Sequence, residues 1–478
     1  MKQELMERLK QTKRVGLSGR PVKLPKDTAD AENRPKPNPP PAGRVKAYFD
    51  ASKGAYYALN SNHEYQIFPG ETIKLLLRHN GFLKGYNHAN GLSYLEAELL
   101  RIATEDTVHY AGPLGGFDVG MYELCGFRVL VTRAAKFLQP VAGDFPLFKK
   151  FLRELLGEQV KYFCAWVKWA LQSLRNGLDW SPGQLLAIAG PPGSGKSLLQ
   201  TLLTPILGGR ISSPYDFMTG KETKNAEIFG AEHGLIGDQN HKTDYASRRA
   251  FGSAIKTLVV NREQKVRGMF KEGLTLMPFL RLTLTLNDNP ESLLVLPPLD
   301  SDVSDKILLL RAAKATFPFP SKAFPTEQIY KQALERELPH FLFWLRSWKI
   351  PESIRDQRYG VFSYHDDGLV ENLHELSPEI RLWQLIETYL FTGDFCGEWE
   401  GTSSDLQALL EDRCKGRETR TVLPYSSACG QYLGKLHKQF EKEARAAGEG
   451  WVPAIEMRKA GKNRHVYKIR RDMVKAPI

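Results

Sequence analysis

The sequence predicts an α/β fold with a P-loop core, a small α+β module before the core and a winged-helix domain after it. Three stretches of the 478-residue chain lead to this prediction. The first is a glycine-rich turn between an apolar run and an apolar helical pattern. The second is a β-prone run that ends at Asn287. The third is a series of three helical patterns followed by a basic hairpin.

The glycine-rich turn lies in "LLAIAGPPGSGKSLLQTLL", residues 185–203. A glycine, four residues and then Gly-Lys-Ser match the phosphate-binding loop pattern, with a strand predicted over 185–189 and a helix over 198–203. Glycines let backbone N–H groups curl around phosphate oxygens, which a Cβ would block. The alternative is a glycine-rich turn that matches the pattern by chance. Chance matches that also have a flanking strand and helix are less common. The predicted nucleotide-binding residues are Gly190, Pro191, Pro192, Gly193, Ser194, Gly195, Lys196 and Ser197.

Four residues of this region have predicted chemical roles. Lys196 would reach the β- and γ-phosphates of ATP, and Ser197 would hold Mg²⁺. The short apolar run in "HGLIGDQN" ends at Asp238, where an acid is expected to hold Mg²⁺ through water. The run "FLRLTLTLND" ends at Asn287, which would orient the attacking water or touch the γ-phosphate. A simple turn residue is the alternative for Asn287, because "NDNP" favours a turn.

Composition and charge narrow the class of protein. The chain is 42% hydrophobic and 25% charged, and its net charge of +12 favours an acidic partner such as nucleic acid. No apolar stretch approaches the ~20 residues that span a membrane. The N-terminus lacks the apolar core of a secretion signal. The five cysteines show no CxxC spacing, which argues against zinc and disulfides and predicts a cytoplasmic setting.

Shifts in composition predict five segments. Residues 1–43 form a basic, proline-rich flexible tail, and residues 44–135 form a small α+β accessory module. Residues 136–180 form a helical linker whose aromatic residues serve either oligomer contact or core packing. Residues 181–350 form the ATPase domain with its lid. Residues 375–478 form the winged-helix domain.

The order of these features resembles the superfamily-three helicases within the AAA+ ATPases, and above all the helicase half of phage and plasmid primase-helicases. The resemblance covers roughly residues 100 to 478. Its most distinctive part is "NDNPESLLVLPPLDSDVSDKILLLRAAKATFPF". Family members carry an Asp, an arginine pair five and six residues later, and a Phe at twelve. Asp305, Arg311 and Phe317 fit this pattern, whereas Leu310 replaces the first arginine.

The resemblance implies roles for residues around the phosphates. Arg311 is the candidate arginine finger that reaches the γ-phosphate of a neighbouring subunit, with Lys306 in reserve and a surface charge as the alternative. AAA+ ATPases usually place a carboxylate after the Mg²⁺-binding Asp, but this chain has Gln239. A glutamine can position water but cannot accept its proton. Either Glu232 or Asp244 serves as base, or positioning alone suffices, or hydrolysis is slow.

A basic hairpin is expected between the two strands that end at Asp238 and Asn287. Superfamily-three helicases carry here a hairpin that projects into the central pore of a hexameric ring and grips the single-stranded backbone. The candidate phosphate contacts of this chain are Arg262, Lys265, Arg267 and Lys271, with Phe270 placed to stack on a base. A solvated charged loop is the alternative.

The C-terminal segment offers a second candidate DNA surface. "SPEIRLWQLIETYLF", "TSSDLQALLED" and "SSACGQYLGKLHKQFEKEARA" predict three helices, and "WVPAIEMRKAGKNRHVYKIRR" predicts two strands around Gly461. This arrangement is typical of a winged helix, whose third helix enters a groove while the wing contacts phosphate. The alternative is a winged helix that binds protein. The candidate DNA contacts are Lys435, Lys462, Arg464, Lys468 and Arg470.

These observations predict an ATP- and Mg²⁺-dependent helicase that acts as a homo-hexameric ring on single-stranded and forked DNA. It would serve the replication of a phage, a plasmid or an integrated mobile element. No carboxylate motif of a primase is evident, so a separate primase would be a partner, and no membrane is involved. The first alternative is an ATP-switched initiator or loader that binds DNA without unwinding it. The second is a small-molecule kinase, which would need neither the strand ending at Asn287 nor the basic C-terminal segment.

Overall fold

The computed structural model describes most of the chain after the N-terminal segment. The described residues are 46–82, 91–175, 180–237, 245–266, 273–297, 299, 302–375, 378–391, 397–414, 417–461 and 464–475. None of the helices in these ranges is both long and apolar enough to cross a membrane.

Residues 46–82 and 91–131 form two small sheets and two helices. The first sheet has the strand order β3-β2-β1-β4, and the second has the order β5-β7-β6. A capping box, in which Ser93 and Glu96 bond each other's backbone N–H, fixes the start of the second helix. The elements are β1 (Ala47–Asp50), β2 (Ala55–Leu59), β3 (Tyr65–Phe68), α1 (Gly70–His79), α2 (Tyr94–Glu105), β4 (Thr107–Val108), β5 (Tyr110–Gly112), β6 (Gly120–Leu124) and β7 (Phe127–Val131).

Two amphipathic helices follow, α3 (Pro146–Leu156) and α4 (Val160–Arg175). Proline at the first position of α3 needs no hydrogen bond for its missing N–H and favours a helix start there. Phe148, Phe163 and Trp166 of these helices are buried in the protomer's own core. The sequence left oligomer contact and core packing open as roles for the aromatic residues of this segment. These three side chains serve core packing.

A five-stranded parallel sheet forms the centre of the molecule, which confirms the predicted α/β class. Its strand order is β14-β8-β13-β10-β9, and each neighbouring pair is parallel. The strand β8 matches the predicted bounds, whereas β13 begins two residues after the predicted Phe279. The central strands are β8 (Leu185–Ala189), β9 (Ile211–Ser212), β10 (His233–Ile236), β13 (Arg281–Leu286) and β14 (Ile307–Arg311).

Helices and a hairpin connect and cover these strands. One face of the sheet packs on α3, α4, α5 and α9, and the other face packs on the second small sheet and α7. A π-helical turn, Lys256–Val260, joins α7 to the hairpin of β11 and β12. These elements are α5 (Lys196–Ile206), α6 (Tyr215–Met218), α7 (Tyr245–Ile255), β11 (Gln264–Lys265), β12 (Thr275–Leu276), α8 (Pro290–Leu293) and α9 (Glu327–Ser347), with 3₁₀ turns at Gly157–Gln159, Ile228–Gly230, Ser304–Lys306 and Glu352–Ile354.

The second small sheet shares a hydrophobic core with the central sheet. Tyr110, Tyr122 and Val129 are buried in the same cluster as Leu282 and Leu284 of β13. Packing is therefore continuous across residue 135, where the sequence predicts the end of a separate module.

The C-terminal part has a core of its own, in which helices pack on a three-stranded sheet of order β15-β18-β17. The three predicted helices and both predicted strands are present, and the structure adds α13, β15 and a small sheet of β16 and β19. The short "EWEG" of β15 becomes a strand because it pairs with β18, about 70 residues further on. The helix α10 (Asp367–Glu375) precedes this part and packs Leu369 and Leu373 in the core of the central sheet. The elements of the C-terminal part are α11 (Pro378–Tyr389), β15 (Glu398–Gly401), α12 (Ser403–Arg413), α13 (Arg417–Val422), α14 (Ala428–Ala447), β16 (Trp451–Val452), β17 (Ile455–Lys459), β18 (His465–Arg470) and β19 (Val474–Lys475).

Candidate nucleotide-binding site

The glycine-rich loop leaves the sheet at the carboxyl end of β8 and leads directly into α5. A Cβ on Gly190 would lie 2.3 Å from the carbonyl oxygen of Ala312, so only glycine fits at this close approach. Gly193 and Gly195 have φ values of 68° and 107°, which side chains rarely adopt. The glycines therefore allow a tight turn that keeps its backbone at the N-terminus of a helix, where anions bind.

The ammonium group of Lys196 lies inside this loop. Its Nζ donates to the carbonyl oxygens of Gly190 (2.8 Å) and Pro191 (2.9 Å). Only 6% of Lys196 is exposed, and Ser194 is buried beside it. Ser197 is exposed in the first turn of α5. A cation within a loop of small residues, followed by an exposed hydroxyl, fits the triphosphate and Mg²⁺ of a bound nucleotide.

The strand order places this loop at a crevice. After β8 the chain passes to β9 at the far edge, and it returns through β10 and β13 before β14 joins the other side of β8. In open parallel sheets, ligands bind at the carboxyl ends of the strands where the order changes direction. Ala189 is paired with Leu286 on one side and with Arg311 on the other. Gly190, Asn287 and Ala312 are therefore neighbours at this edge.

The carboxyl end of β10 completes the same edge. Ile236 is the last residue of β10 and pairs with Leu284 of β13. Asp238 follows it by two residues in the sequence. Asp238 and Gln239 themselves, like Asp244, lie outside the described residues.

Asn287 continues the face of β13 that α5 covers. Thr283 and Thr285 point to this face, since Gln200 of α5 contacts both hydroxyls. Alternation along the strand gives Asn287 the same direction. Its half-buried side chain is thus on the side of the sheet where the loop enters α5.

Arg311 lies on the opposite face of the sheet. Leu310 packs in the cluster that includes α5 residues, whereas the alternating Leu309 packs in the other cluster. The Arg311 guanidinium follows Leu309, lies 3.9 Å from a carboxylate oxygen of Asp366 and is 48% exposed. Arg311 is thus beside its own phosphate loop in the sheet but directed away from it.

The other two residues of the Asp–Arg–Phe pattern have structural contacts. Asp305 lies at the amino end of β14, where its carboxylate pairs with Lys306 (2.6 Å). Lys306, the reserve candidate for the arginine finger, is thus at the sheet edge opposite the loop. Phe317 lies against the loop, with its Cζ 3.0 Å from the position of a Cβ on Gly195.

Glu232 does not reach the edge of the sheet at which the phosphate loop lies. The prediction that it could serve as the catalytic base is therefore wrong. It precedes β10, whose four residues separate it from the carboxyl edge by roughly 13 Å. Its carboxylate is fully buried, pairs with Arg210 and accepts the N–H of Gly116 (2.9 Å). These contacts give Glu232 a structural role between the central sheet and the second small sheet.

The sequence reasoning missed a polar ladder beneath the loop. Lys196, Gln200 and Thr204 follow at intervals of four on one face of α5, which is otherwise apolar toward the core. Gln200 bonds Ile236 at the end of β10 and Thr283 within β13, and Thr204 bonds His233 (2.9 Å). The i, i+4, i+8 spacing of polar residues in an apolar helix was the available signal.

His233 in this ladder makes stability depend on pH. Burial lowers the pKa of His233 to about 4. Because this value is below that of the unfolded chain, the contribution of the neutral imidazole is complete above pH ~6.5 and is lost as the pH falls through ~4. We expect this group to lower the free energy of unfolding by about 2 kcal/mol between pH 7 and pH 5. Urea unfolding at both pH values should show a correspondingly smaller loss in His233→Gln; equal losses would contradict the assignment.

The basic hairpin predicted between β10 and β13 is present as β11 and β12. Gln264 is buried and donates to the carbonyl oxygens of Thr257 and Asn261 (both 2.7 Å), which ties the hairpin to the π-helical turn. Lys265 is exposed on β11, and Arg262 is exposed two residues before this strand. Arg267, Phe270 and Lys271 come between β11 and β12 in the sequence and lie outside the described residues.

The predicted DNA contacts of the C-terminal part have different surroundings. Lys435 faces α11, and its ammonium lies 3.5 Å from Glu379. Arg464 is exposed next to the hairpin turn, and Lys462 lies outside the described residues. Arg470 is only 7% exposed and is paired with glutamates of β15 and β17. The prediction that Arg470 contacts phosphate is wrong, because its guanidinium is buried and neutralised.

Lys468 shares the same acidic neighbour. Its ammonium lies 2.5 Å from Glu398 of β15, the strand that the sequence did not reveal. Lys468 and Arg470 of β18 were expected to contact phosphate. They instead form ion pairs with glutamates of the neighbouring strands of the three-stranded sheet.

Comparisons with known proteins show similarity at the level of fold. Neither a protein-family model nor a curated protein matches the chain. An apo structure of the C-terminal region of NrS-1 is similar, with a TM-score of 0.50 and 13% identity over 89% of this chain and 96% of that one. A second apo form of that region gives a TM-score of 0.49 at 12% identity over the same shares. The active helicase Cch of SCCmec type IV gives a TM-score of 0.31 at 11% identity over 84% of this chain and 73% of that one. The likeness at 0.50 shows a shared fold with the NrS-1 region.

Proposed function

We propose that this protein is an ATP-dependent DNA helicase that works as an oligomeric ring on single-stranded and forked DNA. The observation that carries the proposal is the position of Lys196. Its ammonium is held inside a glycine loop at the carboxyl edge of the sheet, where the strands that lead to Asp238 and Asn287 also end. This arrangement suits the binding and cleavage of a nucleoside triphosphate.

Each residue of the site has a role in this proposal. The loop N–H groups and the N-terminus of α5 bind the phosphates, and Lys196 binds the β- and γ-phosphates. Ser197 and Asp238 would hold Mg²⁺, which neutralises phosphate charge when it is bound. Asn287 orients the attacking water. Arg311, which points away from its own loop, stabilises the γ-phosphate of a neighbouring subunit.

Water activation in this site rests on hydrogen bonding. Glu232 is at the wrong edge of the sheet, and the residue after Asp238 is Gln239. An amide can hold a water in line with the γ-phosphate without accepting its proton. We propose that Asn287 and Gln239 position this water together.

The DNA contacts lie on the hairpin and on the C-terminal part. Lys265 is exposed on the hairpin and Arg262 is exposed just before it, and Arg267 and Lys271 extend the same basic run in the sequence. We propose that this run follows the phosphates of a single strand inside the ring. The C-terminal part is proposed to act as a winged helix that contacts DNA through Lys462 and Arg464, and through Lys435 once it leaves Glu379.

We further propose a role in the replication of a phage, a plasmid or an integrated mobile element. This follows from the resemblance of the segment between Asn287 and Phe317 to phage and plasmid helicases. A separate primase would then supply primers on the strand that the ring exposes.

Replacing Lys265 by alanine tests the DNA contact. We expect weaker binding to single-stranded DNA, with a slope of log K against log salt that is about 0.7 smaller because one phosphate contact is lost. Strand displacement on a forked substrate should fall more than ATP hydrolysis. Lys331→Ala is the control, because it also removes one lysine charge but from α9, which carries no predicted DNA contact and where Lys331 pairs with Glu335. An unchanged salt slope in Lys265→Ala would refute the contact.

The second candidate is an ATP-switched initiator or loader. The residue Gln239 after Asp238 favours it, since an amide cannot accept the proton of the attacking water and slow hydrolysis suits an assembly switch. A loader would bind forked DNA in the presence of ATP but displace no strand, and DNA would leave its ATP turnover unchanged. Strand displacement by the wild-type protein would exclude it.

A further inference from the structure

The carboxamide of Gln200 joins the three elements that carry the candidate nucleotide chemistry. Gln200 lies on α5, one turn after Lys196. Its Nε2 donates to the carbonyl oxygen of Ile236 (3.0 Å) and to the hydroxyl and carbonyl oxygens of Thr283 (2.9 and 3.2 Å). The hydroxyl of Thr285 lies 3.4 Å from its Oε1. One side chain thus connects the helix of the phosphate loop with β10 and β13.

These contacts fall on residues close to the reacting groups. Ile236 is two residues before Asp238, and Thr285 is two residues before Asn287. A shift of α5 relative to either strand would stretch the bonds of Gln200. Metal ligands and water-orienting groups need placement within about 0.5 Å, which such supporting hydrogen bonds provide.

Core packing alone does not require an amide at this position. Gln200 is 3% exposed and lies between Leu199, Leu202 and Leu203, which are all fully buried. An apolar side chain of similar size would fill this space without the cost of desolvating an amide. A buried polar group with several well-placed bonds instead fixes one arrangement of the elements that it joins.

We propose that Gln200 is a positioning residue that holds the carboxyl end of β10 and the end of β13, with the water-orienting Asn287, in line with the phosphate loop. The end of β10 leads in the sequence to Asp238, the proposed Mg²⁺-binding acid. The proposal rests on the proposed ATPase function and adds a residue that makes no contact with the nucleotide. Gln200 acts through the strand ends, so its loss should impair the chemical step and Mg²⁺ use more than nucleotide binding.

The test compares Gln200→Met with Gln184→Met. Gln184 is a second buried glutamine, and it lies immediately before β8 at the opposite edge of the same sheet, where its amide donates to the carbonyl oxygen of Asp305 (2.9 Å). Both substitutions keep the length and remove a buried amide. Thr285→Val, a milder change, removes only the hydroxyl next to Oε1 of Gln200. Each protein is measured for kcat, KM for ATP, half-saturating Mg²⁺, affinity for ADP without Mg²⁺, and thermal midpoint.

We expect Gln200→Met to lower kcat by about 10- to 100-fold and to raise half-saturating Mg²⁺, with KM and ADP affinity within about threefold of wild type. Thr285→Val should shift kcat and Mg²⁺ in the same direction by about threefold. Gln184→Met should lower the thermal midpoint as much as Gln200→Met and keep kcat within about twofold.

The outcomes separate the two proposals. No Mg²⁺-dependent ATP hydrolysis by the wild-type protein would reject the ATPase function itself. An active wild type, with Gln200→Met and Gln184→Met equal in kcat and Mg²⁺ dependence, would reject only the positioning role. If Gln200→Met fails to fold, Thr285→Val decides, and a kcat and Mg²⁺ dependence equal to wild type would overturn the proposal.

Discussion

Replacing Lys196 by alanine is expected to lower the rate of ATP hydrolysis by about 10²-fold or more. The reason is that Lys196 supplies the cation inside the loop, where it is buried and held by two carbonyl oxygens. When a triphosphate binds, this ammonium can turn from the carbonyls to the β- and γ-phosphates and stabilise the charge that develops there. Strand displacement should disappear with hydrolysis.

The measurement is steady-state ATP hydrolysis with and without single-stranded DNA, together with displacement on a forked substrate. Lys74→Ala provides the control, because Lys74 is a surface lysine of α1 that pairs with Glu71. The thermal midpoint should change little in the control. Motor activity at the wild-type level in Lys196→Ala would remove the basis of the proposed function.

Mixing Arg311→Ala subunits with Lys196→Ala subunits is expected to restore part of the hydrolysis that each variant lacks alone. An arginine finger contributes about 10³-fold or more to the rate, so Arg311→Ala alone should be nearly inactive. The guanidinium follows the face of Leu309, away from its own loop, and is half exposed. If Arg311 acts on a neighbour, each ATP site lies at a seam between two subunits, with the loop from one and the arginine from the other. In an equal, random mixture about a quarter of the seams combine an intact loop with an intact Arg311.

The control mixture contains Lys196→Ala subunits and subunits that carry both substitutions. No seam in this mixture has both an intact loop and an intact arginine, so it should stay inactive. An Arg311→Ala protein with wild-type hydrolysis would show that Arg311 is a surface charge. A nearly inactive Arg311→Ala whose mixture shows no restoration would show instead that Arg311 acts within its own subunit.

The phosphate loop and its strand could be predicted from sequence because local signals determine them. Apolar residues 185–189 form a strand buried on both faces, and Gly190 and Gly195 occupy positions where a close approach or a positive φ requires glycine. The strand that ends before Asn287 was found for the same reason, since its residues are β-prone and buried throughout. Each of these features lies within about a dozen residues of sequence.

The features that sequence reasoning missed depend on residues far apart in the chain. Glu398 neutralises Lys468 and Arg470 across about 70 residues, and nothing local to β18 indicates that its cations are paired. Glu232 lies at the amino end of β10, and the direction of this strand in the sheet places it away from the phosphate loop. The residues next to Glu232 in the sequence do not indicate this direction. The spacing of polar residues in α5 indicates the face on which Gln200 lies, but its bonding partners depend on how α5 packs on β10 and β13.

The shared core of the second small sheet and the central sheet limits how the chain can be shortened. Tyr110, Tyr122 and Val129 cover apolar side chains of β13, and Arg210 reaches back to the carbonyl oxygens of Leu114 and Arg133. A truncated chain that starts at residue 136 would expose this apolar surface to water and would tend to aggregate. A fragment that keeps the core of the central sheet intact must therefore begin upstream of β5.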